Sequence, residues 1–438
     1  MLSVNKAKNT FSLIKFPTFI ARSEFSKHVT TLIVGQIIVH AIAFLALPII
    51  TRLYSAEQIG AYSLFMALFM VLSMLSTGRF DAAIVIEKKE KSAILLWTLA
   101  TFISFWFNVV LFVFIYFFHE NILVWLNKSS MGIYILLLPL AIFFGALIRS
   151  TQYYFNKHKA YKTISMSDIL KSGTNSTGGV AFGWLGYLSG GLIIANVLSN
   201  IVAFVLLAIK LPISFWQTVK STTFLNLKNI GKKYKDYLTF YTLSGILSAI
   251  VSNGTPIFII FFFTEKTAGY YFMAEKVVSI PIGLLVAAIS RVFYQRASEL
   301  FQNDKKGFLT LIYRIQKKMF WVLVPLLLLL SLAAPSIFEW FGNDWRQAGE
   351  MIKYFAILVL FNNLISPVGS ISNIIDRLDI LLYFNITTTI VRAVTFYLGS
   401  LYFSFEHTLL ISAICLSICY IALDSILKKL VKNMIAST

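Results

Sequence analysis

The chain has 438 residues, of which 58% are hydrophobic, 16% aromatic and only 13% charged. Soluble domains carry about 25% charged residues, so the composition excludes a globule bathed in water. The net charge of +19 is divided among separate loops, as orientation in a bilayer requires, and this argues against nucleic acid as a partner.

The first 28 residues form a basic arm containing Lys6, Lys8, Lys15, Arg22 and Lys27. A cleaved signal needs an unbroken apolar core of about 7–15 residues, and Lys15, Pro17 and Arg22 interrupt any such core. We expect a cytoplasmic arm resting on anionic membrane lipid. Apolar blocks of about 20 residues follow, each long enough as a helix to cross a hydrocarbon core of roughly 30 Å. They predict twelve spans: 29–50, 60–78, 93–118, 131–152, 165–186, 188–209, 237–262, 268–290, 319–341, 348–370, 380–404 and 407–427. The fifth, with "SDILKSGTNSTGGVAFG", is the most polar of them. The expected organisation is an N-lobe over 29–209, a basic cytoplasmic linker over 210–236, a C-lobe over 237–427 and a basic tail over 428–438.

With the N-terminus inside, the cytoplasmic segments hold about 30 of the 38 Lys and Arg residues. The outer loops hold only Arg52, Lys128, Lys266 and Arg346. One missed or invented span would invert this asymmetry beyond that point, so it supports twelve spans with both ends inside.

"LPIITRLYSAEQIGAYSLF" (47–65) aligns with "TPIFIIFFFTEKTAGYYFM" (255–273). Pro48 falls on Pro256 and Gly60 on Gly269, with one residue inserted between them. Both stretches form the outer turn between the first two spans of a six-span half. The expected fold is therefore an all-α polytopic membrane protein of two six-helix lobes. A parallel pseudo-two-fold repeat would relate the lobes around a central cavity.

Charges inside spans cost roughly 2.5–3.5 kcal/mol each on insertion scales, so they usually face a cavity or a partner. The candidates are Lys171, with Asp168 three residues before it, the adjacent Glu275 and Lys276, and Arg392 with Asn385 and Thr389 on one face. Adjacent helix positions diverge by about 100°, so Glu275 and Lys276 cannot pair with each other. Asp168 and Lys171 either neutralise each other or serve a ligand. Gln36 with His40, and Asn196 with Asn200, repeat at i, i+4 and read as packing polar groups or interhelical hydrogen bonds. The interior charge leans positive, which suits a phosphate or pyrophosphate and repels an organic cation. "SNGTPIF" (252–258) is expected to break the seventh span and "GTNSTGG" (173–179) to loosen the fifth. Cys415 and Cys419 share a helix face and read as packed thiols. Phosphate loops, catalytic triads and metal clusters are missing from the sequence, so neither an enzyme nor a cofactor is expected.

"GQIIVHAIAFLALPIITRLYSAEQIGAYSLF", "GRFDAAIVIEKKEKSAILL" and "GYYFMAEKVVSIPIGLLVAAISRVFYQRASE" resemble Wzx-type polysaccharide flippases of the multidrug/oligosaccharidyl-lipid/polysaccharide exporter superfamily. The resemblance implies passage of a polyprenyl-pyrophosphate-linked oligosaccharide from the cytoplasmic to the periplasmic leaflet of a bacterial inner membrane by alternating access. It also implies a basic cavity, a coupling cation (proton or sodium) and a polysaccharide polymerase as a further partner. On matched positions it assigns Arg52, Arg79 and Arg291 to substrate and Asp81 to the "RFD" motif. Lys171, Lys276 and Arg392 join the substrate set on interior charge, with Asp81, Asp168 and Glu275 as coupling or counter-ion residues. A cation-coupled drug exporter of the same superfamily is the competing reading. An enzyme that joins lipid-linked sugars would need a larger outer loop, and a passive scaffold would leave the interior charges unexplained.

Overall fold

A chain this apolar must satisfy its backbone groups within itself, and consecutive helices do so one span at a time. The computed structural model describes residues 24–126, 130–369, 371–375 and 377–436. The basic arm up to residue 23 lies outside the described residues, and helix begins inside its expected C-terminal end. The first half contains α1 (Glu24–Leu53), α2 (Ala56–Ser76), α3 (Phe80–Ala83), α4 (Glu90–Trp125), α5 (Leu138–Lys157), α6 (Tyr161–Trp184) and α7 (Leu188–Lys210). Two short helices, α8 (Ile213–Lys220) and α9 (Phe224–Lys233), form the linker. The second half contains α10 (Thr242–Asn253), α11 (Thr255–Phe262), α12 (Glu265–Asn303), α13 (Lys305–Phe341), α14 (Arg346–Gly369), α15 (Ile371–Ile374), α16 (Leu378–Tyr402) and α17 (Phe405–Ala436).

The chain is a multi-pass helical membrane protein. Among the described residues ten helices are long and apolar enough to cross a bilayer. An eleventh span is added if α10 and α11, bent by 62° at Gly254, count as one. The last of the twelve expected spans is α6, which fails on apolarity alone. It nonetheless runs as one 24-residue helix, without the loosening expected at 173–179. Neighbouring α1 explains its continuity, because the two helices share their polar groups. Ser172 Oγ donates to the Val39 carbonyl at 2.9 Å, and the Tyr54 hydroxyl donates to that of Gly179 at 2.7 Å. The expected break in the seventh span is present, between Asn253 and Thr255.

The basic linker is built on apolar anchors. Phe215 of α8 and Leu227 and Ile230 of α9 are buried in the cluster that includes Trp97 of α4 and Tyr154 of α5.

The two halves meet where α1 turns into α2 and α11 into α12, here termed the hinge end. Ser55 opens α2 with a reciprocal cap, its side chain accepting from the Gln58 amide while the Gln58 side chain accepts from the Ser55 amide. The helix starts then cross in contact. A Cβ built on Gly60 would lie 1.9 Å from the Glu265 carbonyl oxygen, and one on Gly269 1.9 Å from that of Ala56. No other residue fits either position without parting the backbones. The seam is fastened by Thr51 Oγ1 donating to the Phe341 carbonyl (3.1 Å) and Trp345 Nε1 donating to the Thr51 carbonyl (2.8 Å).

Candidate functional site

Five helices, α1, α2, α6 and α7 from the first half and α12 from the second, enclose a cavity of about 530 Å³. Helix register gives its levels. Nearest the basic end, α1 contributes Gln36 and α6 contributes Asp168; the middle carries His40, Lys171 and Lys276. The floor toward the hinge end carries Tyr62, Asn175, Asn196 and Phe272.

Asp168 is held by two side-chain amides. Gln36 Nε2 donates to one carboxylate oxygen at 3.2 Å and Gln152 Nε2 to the other at 2.8 Å. Three helices are thereby joined at one carboxylate. Asp168 and Lys171 form no ion pair within 4.0 Å, so direct neutralisation is not the arrangement. Among the described residues Lys171 makes neither a hydrogen bond nor an ion pair. On the opposite wall, Lys276 Nζ lies 5.0 Å from the centre of the Phe272 ring and also has no carboxylate partner. His40 is within electrostatic reach of Lys276. Two ammonium groups, one from each half, therefore face a cavity whose one lining carboxylate already has its donors. Such a site favours an anion.

The other expected site residues are placed elsewhere. Glu275 sits next to Lys276 in sequence but on a different face of α12, as the helical period requires. It feels the charge of Lys276 first and of Arg392 second, forms no ion pair with either, and does not line the cavity. Arg392 is buried, and its Nη1 donates to the carbonyls of Ile250 at 3.2 Å and Val251 at 2.7 Å. Both carbonyls belong to the last turn of α10; that of Ile250 also accepts from the Gly254 N–H at 2.8 Å, and the break leaves that of Val251 to Arg392. Arg52 is exposed at the hinge end and donates to the Trp340 carbonyl at 3.0 Å. Arg79 has a positive φ of 57°, and its Nη1 approaches Met74 Sδ at 3.6 Å. Asp81, fully buried, pairs with Arg149 at 2.5 Å and accepts from Thr77 Oγ1 at 3.0 Å. Arg291 lies on α12, and its side chain is outside the described residues.

Sequence reasoning passed over Arg149, counted there only among loop charges, and Gln152. Tyr62 and Asn175 carried no signal beyond the apolar and polar runs around them. A further charged knot lies at the basic end. Glu87, buried before α4, accepts from Lys233 Nζ at 2.5 Å and from the Tyr234 hydroxyl at 2.7 Å, while Lys157 Nζ donates to its backbone carbonyl. The Lys233 and Tyr234 hydrogen bonds hold its carboxyl down at about 2.

A bundle of this kind around one polar cavity has the fold of known membrane transporters. It matches the inward-facing conformation of a multidrug resistance MATE family transporter of the MOP superfamily with a TM-score of 0.70. That match covers 91% of this chain and 95% of that one at 16% identity. The lipid II flippase MurJ in an inward closed conformation matches with a TM-score of 0.71, covering 89% of this chain and 86% of that one, again at 16% identity. The family model described as "Polysaccharide biosynthesis protein" matches residues 49–350, and the chain belongs to that family. The teichuronic acid biosynthesis protein TuaB of Bacillus subtilis (strain 168) is 23% identical over 292 residues, 64% of this chain, and the match spans 58% of that relative's length.

Proposed function

We propose that this protein is a flippase that moves a polyprenyl-pyrophosphate-linked oligosaccharide between leaflets by alternating access, entering at the basic end and leaving at the hinge end. The observation that carries this reading is the placement of Lys171 and Lys276, one from each half, on a shared cavity without carboxylate partners. A pyrophosphate between them would bridge the halves, so its capture and release would be coupled to their relative motion. The prenyl tail stays in lipid while the hydrated groove lowers the barrier for the polar head. The family supports a role in building a polysaccharide, and the fold supports transport.

In this reading the basic end faces the cytoplasm of a bacterial inner membrane, with both termini inside. A polymerase that joins delivered units would act on the far side. Coupling to a proton or sodium gradient would involve Asp168 or Glu275. Arg52, Arg79 and Asp81 would act outside the cavity lining, in gating and support, and Arg291 keeps the substrate role that the resemblance implies.

The test uses cells lacking the gene. Completed lipid-linked units should accumulate on the cytoplasmic leaflet, and Lys171→Ala or Lys276→Ala should relieve the accumulation at least about tenfold less well than wild type. Normal passage in the null strain, with new sensitivity to cationic dyes, would overturn the proposal in favour of drug export.

A further inference from the structure

The cavity changes character along its length, and the change has the same register on both walls. On α6, Lys171 is followed one turn closer to the hinge end by Asn175. On α12, Lys276 lies one turn from Phe272, again with the neutral residue on the hinge side. One turn is about 6 Å for four residues. The cationic level is thus stacked on a neutral level built from both halves.

The floor has its own chemistry. Tyr62 shares the cavity floor with Asn175 and Asn196. Asn200 Nδ2 donates to Asn196 Oδ1 at 3.3 Å, which orients that amide. Phe272 meets Tyr62 edge to face, with ring centres 6.0 Å apart, and carries Lys276 over its own ring. Carboxamides and a phenol offer paired donors and acceptors without charge, and the aromatic pair offers an apolar face. Hydroxyl-rich rings, with polar edges and C–H faces, match both. A second anion would find no counter-charge there, and a prenyl tail would leave the amides unsatisfied.

We propose that this floor is a saccharide subsite, occupied by the sugar ring joined directly to the pyrophosphate while Lys171 and Lys276 hold the phosphates. The inference rests on the flippase reading and adds to it. Phe272 forms the border, touching the anion level through Lys276 and the sugar level through Tyr62. Asn175, Asn196 and Tyr62 then select the first sugar, and later sugars extend beyond the enclosed volume.

Binding to the full-length detergent-solubilised protein tests this with three probes: a short-chain prenyl pyrophosphate carrying no sugar, a hexose or an N-acetylhexosamine. Wild type should bind at least one sugar-bearing probe about tenfold more tightly than the bare pyrophosphate. Asn175→Ala and Asn196→Ala should abolish that advantage while leaving the bare probe within about twofold. Lys171→Ala should weaken all three. Retained affinity for the bare probe certifies folding, and Tyr62→Phe, which removes one hydroxyl and keeps the ring, provides a milder second variant with the same pattern. Equal wild-type affinity for all probes, or floor variants that weaken the bare probe equally, would overturn the subsite and leave the anion site standing. Failure of wild type to bind any prenyl pyrophosphate would overturn the flippase reading, and the subsite with it.

Discussion

Lys171 and Arg392 look alike in sequence: each is a cation deep in a span, on opposite halves, and each invites the same reading as a substrate contact. Their environments differ. Arg392 reaches the end of α10, where the break in the seventh span leaves the Val251 carbonyl without an intrahelical donor, and it donates to that carbonyl and to its neighbour at Ile250. Lys171 faces the cavity without a partner while its neighbour Asp168 is held by two glutamines. An interior charge is a demand for a partner, and a broken helix can meet that demand as well as a ligand can. Arg392 is pinned beside the break, whereas Lys171, like Lys276 across the cavity, presents a cation free to bind.

The largest expected effect separates these roles. Arg392→Ala leaves the Val251 carbonyl unpaired and should destabilise the protein by about 1–3 kcal/mol, read as a lower melting temperature in detergent and lower abundance in the membrane. Lys171→Ala removes a cation that makes neither a hydrogen bond nor an ion pair, so its stability should stay within about 0.5 kcal/mol of wild type or rise, while transport falls. A stable but inactive Arg392→Ala protein would break the comparison and return Arg392 to the substrate path.

A second prediction concerns the place where the halves touch. Gly269→Ala puts a Cβ into the Ala56 carbonyl and should part the hinge-end seam. Ile59, almost fully buried on the cavity wall beside the seam, reports on it. In a background with Cys415 and Cys419 replaced by serine, a cysteine at Ile59 should be labelled about tenfold faster from the hinge side, equivalent to roughly 1.4 kcal/mol on a closed–open equilibrium. Unchanged labelling would show that this crossing does not govern access.

Much of this organisation was legible because it is local or periodic. Span lengths, the matched Gly60 and Gly269, the break at "SNGTPIF" and the divergence of Glu275 from Lys276 follow from composition and a 3.6-residue period. Partners distant in the chain were not legible. Asp81 takes Arg149, 68 residues away, because the left-handed turn at Gly78 and Arg79 leads the nearer guanidinium back toward Met74. Asp168 takes Gln36 from 132 residues away, and nothing around that glutamine distinguishes it from a packing residue. The polar α6 hides from any apolarity criterion, since its donors are met by α1 and not by its own composition.

The smallest predicted effect tests the rule that a satisfied charge supports the fold, at the basic end and outside the spans. Glu87 joins the segment before α4 to α9 through Lys233 and Tyr234, and those hydrogen bonds hold its carboxyl near 2, below an ordinary 4.5. A depressed carboxyl contributes stability that is fully present above about 4.5 and is lost as pH falls through about 2. Glu87→Gln should therefore lower the melting temperature by a few degrees at pH 7. The gap from wild type should narrow steadily between pH 5 and pH 2, because wild type loses the same interaction on protonation. A gap that stays constant across that range would mean the carboxylate charge is irrelevant and that shape alone holds α9 against α4.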